Sequence, residues 1–467
     1  MSIKEWVVAH RDDMIRTAQE LMRIRSVSEP GTREHPYGEG CACVLDKALE
    51  LGQKMGFRAE NHGYYCGSLF LQGKTEREIG IFVHLDVVHE GAGWSVTDPY
   101  MPMEKDGWLY GRGSADDKGP AAAALYSMGY FISHGVKLNH TIRLYLGCSE
   151  ERGMEDIEYY TAHFPAPDFS IIPDASFPVC FAEKGILEGE FSCSTGIGHV
   201  VNLTAGTSSN AVPGEAMAEL DGVLFKTVKD YVTTLDHCED FSVEKDNQRV
   251  VIRSVGKSAH AAFPEGSDSA AVKLGQALSQ ADFLSEEERK RFGFVSQGFA
   301  DYYGEDMGIA YEDTLSDRLT LVGGTIRTAK GRFIQNFNIR YPVTTDTKAM
   351  IEQLKHMGEA YGWRLDWSHD NPPCVISPDS EAVKGLTDIC RRVLNVDLQP
   401  YSMGGGTYAR KLPNAVAFGP GIRRQKKPCS PGHGGGHQPD ECVKIENLTN
   451  AMEIYIEALQ YLDTIIK

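Results

Sequence analysis

The chain has 467 residues, 42% of them hydrophobic, with 65 acidic against 47 basic side chains and a formal charge of −18. That length predicts two domains, one interrupted by the other, with enough apolar residues for sizeable cores. An acidic surface repels phosphate backbones and anionic lipid, and no apolar run reaches bilayer length, so nucleic acid and membrane are excluded as partners.

Residues 4–24 place Trp6, Val7, Ile15, Ala18, Leu21 and Met22 at helical spacing. This first helix carries several charges and lacks the apolar core and cleavage site of a secretory leader, which predicts a cytoplasmic protein. The eleven cysteines agree with a reducing compartment. They are scattered, form neither a disulfide framework nor a paired C-x-x-C, and are expected as small buried hydrophobes. A second helix is predicted over 41–56, then strands at 67–72 and 79–86.

The stretch 81–117, IFVHLDVVHEGAGWSVTDPYMPMEKDGWLYGRGSADD, holds the first chemistry. Ile81-Phe82-Val83 reads as a buried strand that delivers His84 and Asp86 to one face, since alternate strand residues point the same way. Alone, such a pair is more often a structural hydrogen bond than a ligand set. Asp116 and Asp117 open an alanine-rich helix predicted at 119–134, where acids suit the helix dipole. Strand Thr141–Gly147 runs into Cys148-Ser149-Glu150-Glu151, and strand Phe169–Ile172 into Pro173-Asp174. Acids thus arrive repeatedly at the carboxyl ends of apolar strands, the edge where open α/β sheets carry their sites.

From about Glu183 the texture changes. Strand-like runs at 188–193, 199–204, 249–255 and 333–343 mix with helices at 267–281 and 345–361, and no further acid-tipped strand appears. This predicts an inserted α+β domain over 186–375, between two parts of the first domain at 1–185 and 376–467. The tail resumes the earlier style with helix 380–394, the run SMGGGTYAR, strand 415–419 and a closing helix 444–464. Gly405 and Gly406 in that run could offer backbone N–H groups to a carboxylate. A glycine-rich loop, CSPGHGGGHQPDEC, then carries His433 and His437. The candidate metal ligands are therefore His84, Asp116, Asp174, one of Glu150 and Glu151, and a second histidine. Adjacent glutamates do not easily serve one ion in the same way, so the natural division is one ligand and one general base.

The motifs HLDVV, GRGSADDKGP, CSEERG, PDASFP and GHQPDE resemble those of the co-catalytic metallopeptidase family that includes aminoacylase, glutamate carboxypeptidase, succinyl-diaminopimelate desuccinylase and the dipeptidases. The DDKGP and GGGTYAR runs look closest to the PepV-type, Sapep-like branch. The resemblance implies an α/β catalytic domain of zinc-peptidase type, a central mixed sheet between helices, interrupted by an α+β lid domain. It implies that His84 and Asp174 bind one metal, that Glu151 and His437 bind a second, and that Asp116 bridges them. Glu150 becomes the general base and Asp86 the group that orients His84. In the insert, SVGKSAHAAFPEG makes His260 the candidate for stabilising the oxyanion. Arg340 in FNIRYPV becomes the group that grips a substrate carboxylate, and Asn210 in SSNAVPG a lid contact.

The implied activity is hydrolysis of a dipeptide by two divalent metals, zinc first, with manganese or cobalt also suited to a set rich in oxygen ligands. Within the same family the alternatives are an N-acyl-amino-acid deacylase or a carboxypeptidase; a catalytically silent metal-binding module is a third reading. The branch resemblance favours a monomer over a homodimer, with a small peptide or acyl-amino acid as the only partner. His89 and His433 depart from the family pattern and are expected as solvated loop residues, and the basic stretch 423–427 adds charge near the candidate site.

Overall fold

A computed structural model describes residues 1–466, which form two compact units. The first comprises Met1–Phe181, Val375–Tyr401 and the chain from Gly406 onward; the second comprises Ala182–Cys374 with Ser402–Gly405.

In the first unit the strands Glu78–His84, Thr141–Gly147 and Phe169–Ile172 are buried almost throughout. Continuous apolar runs of this kind suit a parallel sheet with covered faces. Six strands of the nine-stranded sheet lie in the order Arg58–Asn61, Cys66–Leu71, Thr141–Gly147, Glu78–His84, Phe169–Ile172 and Ala415–Ala417. The last four run parallel, and the first two pair antiparallel at the edge, so the sheet is mixed.

Helices Ile3–Met22, Lys118–Ser133 and Ile445–Ile465 pack against one another beside this sheet. The middle one is buried along nearly its whole length because four consecutive alanines let its backbone approach closely. Ser127 on it donates to the Met452 carbonyl at 3.2 Å, tying it to the closing helix. Strand Glu78–His84 stops two residues short of the predicted end. Beyond it, Leu85 donates to Gly147 and Val87 to Ser26, so the chain leaves the ladder before Asp86.

The second unit is built on an antiparallel sheet in the order Phe241–Asp246, Arg249–Val255, Glu215–Leu220, Val200–Ala205, Ile326–Ala329, Arg332–Tyr341, Gly185–Ser194 and Arg364–Asn371. Helices Phe225–Val232, Ala270–Gln280, Glu286–Gly298 and Thr347–Ala360 accompany it. Leu187, Phe191, Phe294, Phe337 and Trp363 lie in one shared core. Helix Glu286–Gly298 escapes apolar periodicity because it opens on the charged run EEERKR; its local signal is the capping box of Ser285 and Glu288.

Among the described residues no helix is long and apolar enough to cross a membrane. All eleven cysteines are free.

Candidate active site

The parallel register brings donors from distant segments to one height. His84 lies opposite Gly147, and Ile81 lies opposite Ile171, so Asp174 follows at the level of His84. His84 Nε2 is 2.9 Å from Asp116 Oδ1 and 4.0 Å from Asp174 Oδ2. The other Asp116 oxygen, Oδ2, is 3.2 Å from His437 Nε2, which in turn is 2.9 Å from Glu151 Oε1. One carboxylate thus faces two imidazoles, one with each oxygen. Ligand atoms of His84, Glu150 and Asp174 lie within 4.8 Å of one another, as do those of His84, Asp116 and Glu151.

Burial, with the charge of nearby carboxylates, pushes Glu150, Glu151 and Asp174 above the usual carboxylate range. Burial acts the same way on Asp116, but the two imidazoles outweigh it and hold this carboxyl well below that range. Burial opposes the His84 cation, yet Asp116 and Asp86 prevail and raise it, while Asp116 and Glu151 raise His437 to about 11. Carboxylates crowded and desolvated in this way repel one another, and positive charge relieves them. Two imidazole nitrogens among carboxylate oxygens form a donor set that fits divalent cations such as zinc, manganese or cobalt.

The turn bearing the two glutamates is held from behind by two other acids. Asp86 Oδ1 accepts from the Glu150 amide at 3.2 Å and Oδ2 from the Glu151 amide at 3.1 Å. Asp156 Oδ2 accepts from the Cys148 and Ser149 amides at 2.7 and 2.9 Å and from the Tyr408 hydroxyl at 2.5 Å. Successive amides from Cys148 to Glu151 are thereby fixed by two buried carboxylates. Asp86 also accompanies His84, although its backbone carbonyl, 3.0 Å from Nδ1, is closer than its carboxylate at 3.5 Å. Glu150 Oε1 is buried with no hydrogen-bond partner among the described residues, and burial pushes Asp156 up to about 6.

Asp156 carried no sequence signal, since it sits among acids in the first turn of helix Glu155–His163, where acids are ordinary. Tyr408→Phe removes one of the three donors to Asp156 Oδ2 and is expected to cost about 1–2 kcal/mol of stability. Urea unfolding at neutral pH checks this.

Glu441, just beyond His437, binds the other side of the site. Its carboxylate accepts from Arg112 Nη1 at 2.7 Å and from the Gly113, Ala115 and Asp116 amides at 3.2, 2.9 and 3.2 Å. The loop presenting His437 therefore also positions Asp116. Asp440 accepts from Ser95 N and Val96 N at 2.7 and 2.8 Å, and its Oδ2 lies 2.7 Å from His433 Nδ1. His433 is thus part of the loop's anchor. His437 itself has a φ of 64°, a left-handed backbone that a residue with a Cβ adopts only when its surroundings impose it.

His89 is exposed, with Nδ1 3.5 Å from Arg25. Within the basic stretch, the Arg423 guanidinium lies 4.5 Å over the Tyr401 ring, and Lys427 donates to the carbonyls of Gly434 and Cys442.

Of the remaining candidates, Asn210, His260, Arg340 and Gly405 lie in the second unit and Gly406 in the first. Ala211 and His260 form a β-bridge, and Ala261 N donates to Asn210 O at 2.8 Å, so Asn210 and His260 are neighbours. The Asn210 side chain accepts from Ser208 at 2.5 Å, and His260 Nδ1 accepts from Ala262 N at 3.1 Å. Thr320 links this segment to Arg340: it pairs with Arg340 across two strands and donates to Ala261 O at 2.9 Å. Arg340 is buried, with Nε on Asn338 Oδ1 at 2.8 Å and Nη1 on Gly404 O at 2.9 Å. The arginine and the start of the glycine run therefore meet. A Cβ on Gly405 would find only Met403 Sδ, at 3.9 Å, whereas one on Gly406 would press to 2.5 Å of the Arg410 guanidinium.

Comparison with known proteins gives three consistent results. The model of peptidase family M20/M25/M40 matches residues 80–461. "Putative dipeptidase YtjP" of Bacillus subtilis is 33% identical over 97% of this chain and 98% of its own length. "Beta-Ala-Xaa dipeptidase" of Lactobacillus delbrueckii subsp. lactis is 30% identical over 98% of both chains. Among solved structures, human carnosine dipeptidase 1 shares the fold with a TM-score of 0.61 at 16% identity, over 99% of this chain and 98% of that one.

Proposed function

The chain belongs to the M20/M25/M40 peptidase family and is a metal-dependent hydrolase; from that premise we propose that it cleaves dipeptides bearing a free terminal carboxylate. The observation that carries this reading is Asp116, whose two oxygens each face one imidazole beside the buried, unpartnered carboxyl oxygen of Glu150. His84, Asp174 and Asp116 would hold one divalent cation, and Asp116, Glu151 and His437 the other, with zinc, manganese or cobalt all suited. Divalent cations held there would supply Lewis acidity, lowering the pKa of a bound water and polarising a substrate carbonyl.

The chain's own residues do the rest. Glu150 accepts the proton of the attacking water and returns it to the leaving nitrogen, and the four braced amides from Cys148 to Glu151 keep that carboxyl at a constant position. Desolvation of Glu150 favours its protonated form, which suits the second transfer. For the substrate we propose His260 as the donor to the oxyanion, with Asn210 beside it, and Arg340 with Gly405 and Gly406 as the carboxylate grip.

Arg340→Met is expected to raise KM for dipeptides about 10- to 100-fold, the value of one charge-assisted contact, while leaving C-terminally amidated dipeptides equally poor substrates before and after. Steady-state kinetics on the matched pair checks this.

The function is tested with metal-stripped protein reloaded separately with zinc, manganese and cobalt, against a dipeptide panel beside N-acetyl and N-succinyl amino acids. Cleavage of free-amino dipeptides is expected. Preference for the acylated compounds would make the protein a deacylase, and silence with every metal would overturn the hydrolytic reading.

A further inference from the structure

The loop that carries His433 and His437 begins and ends near a cysteine. Cys429 Sγ lies 3.9 Å from Cys442 Sγ, and both thiols are free. They share a small apolar cluster with Trp108, Tyr110 and Val96. The contact is braced: Cys442 N donates to Gly434 O at 3.1 Å, and Lys427 reaches the carbonyls of Gly434 and Cys442. Gly434, in a left-handed conformation with φ 87°, makes room for the pair, because a Cβ there would lie 2.9 Å from Cys429 Sγ. A disulfide has its sulfurs about 2 Å apart, so a closure of about 2 Å separates this contact from a bond. Cys442 is fully buried, whereas Cys429 is partly exposed.

We propose that Cys429 and Cys442 are a dithiol modification site that hydrogen peroxide converts to a disulfide, closing residues 429–442, with His437 inside, into a covalent ring. Cys429, the accessible partner, attacks one peroxide oxygen as its thiolate. The O–O bond breaks, and hydroxide leaves as water with the proton the thiol gave up, so Cys429 becomes a sulfenic acid. The Cys442 sulfur then attacks that sulfur, the S–O bond breaks, and water leaves with the Cys442 proton. Two thiols and one peroxide yield one disulfide and two waters. Burial, with Cys429 beside it, pushes Cys442 up to about 12, which disfavours its thiolate and leaves the first attack to the accessible Cys429. The ring constrains the segment that presents a candidate ligand and anchors Asp116 through Glu441.

The test uses the full chain, treated with stoichiometric hydrogen peroxide, digested without reduction and mapped by mass spectrometry. The expected result is a linked peptide pair containing Cys429 and Cys442, a mass lower by about 2 Da for the two hydrogens removed, and recovery with dithiothreitol. The oxidised protein should also melt several degrees higher, as expected for a ring of this length. In Cys429→Ser the Cys442 thiol should survive the same treatment. Linkage of another cysteine pair, sulfinic acid on Cys429 beside an intact Cys442 thiol, or retention of all eleven thiols in the wild-type chain would overturn the proposal.

Discussion

Glu150→Gln is expected to reduce turnover by about 10³-fold or more while leaving metal content unchanged. The amide keeps the volume and one acceptor oxygen of the carboxyl, but it takes no proton from water and returns none to the leaving amine. Because Glu150 Oε1 has no hydrogen-bond partner, the substitution breaks no contact at that atom. A second readout separates a proton carrier from a structural acid. Burial raises the folded-state pKa of Glu150, so in the metal-free protein ionising it opposes folding above the unfolded carboxyl value. Metal-free Glu150→Gln should therefore be more stable than the wild type at neutral pH, with the gap closing as pH falls toward about 4. Activity within a few-fold of wild type, with two metals bound, would move the base elsewhere.

Asp116→Ala is expected to abolish activity and to lower metal content from two ions to less than one. Among the described residues Asp116 is the one with an oxygen against each imidazole, 2.9 Å from His84 and 3.2 Å from His437, so its loss strips an oxygen from both candidate positions at once. His437→Ala, by contrast, should weaken one position only, which elemental analysis on equilibrium-dialysed protein distinguishes. In the metal-free protein the loss also reaches His437, whose pKa of about 11 rests first on Asp116 and then on Glu151. Titration followed by the imidazole proton resonances should show it falling well below that value. Retention of two ions in Asp116→Ala would end the bridging assignment.

The parallel strands and their acidic tips were legible because each is a local pattern: an apolar run that stops, followed at once by a carboxylate or imidazole. Thr141–Gly147 and Phe169–Ile172 match their predicted bounds to the residue for that reason. The resemblance of the five motifs then led to the family that the later comparisons establish. Helix Glu286–Gly298 was not legible, since its charged opening hides its buried face.

The supports of the candidate site were equally invisible. Asp156 and Tyr408 stand 252 positions apart, and Glu441 reaches back across 325 positions to the Asp116 amide. No periodicity encodes such pairs.

His433 and His437 mark the boundary between the two kinds of information. They occupy one glycine-rich loop with the same side chain, and residue type alone leaves both as ligands. The folded chain separates them: Asp440, held by the Ser95 and Val96 amides, takes His433, while a left-handed backbone turns His437 to Asp116 and Glu151. The sequence by itself determined the family, the parallel strands and the chemical types of donor, because these depend on residue identity and short-range spacing. Only the tertiary structure decided which of two like residues faces the donors and which buried acids hold the turn, because hydrogen-bond geometry between distant segments exists only once the sheet has set their register.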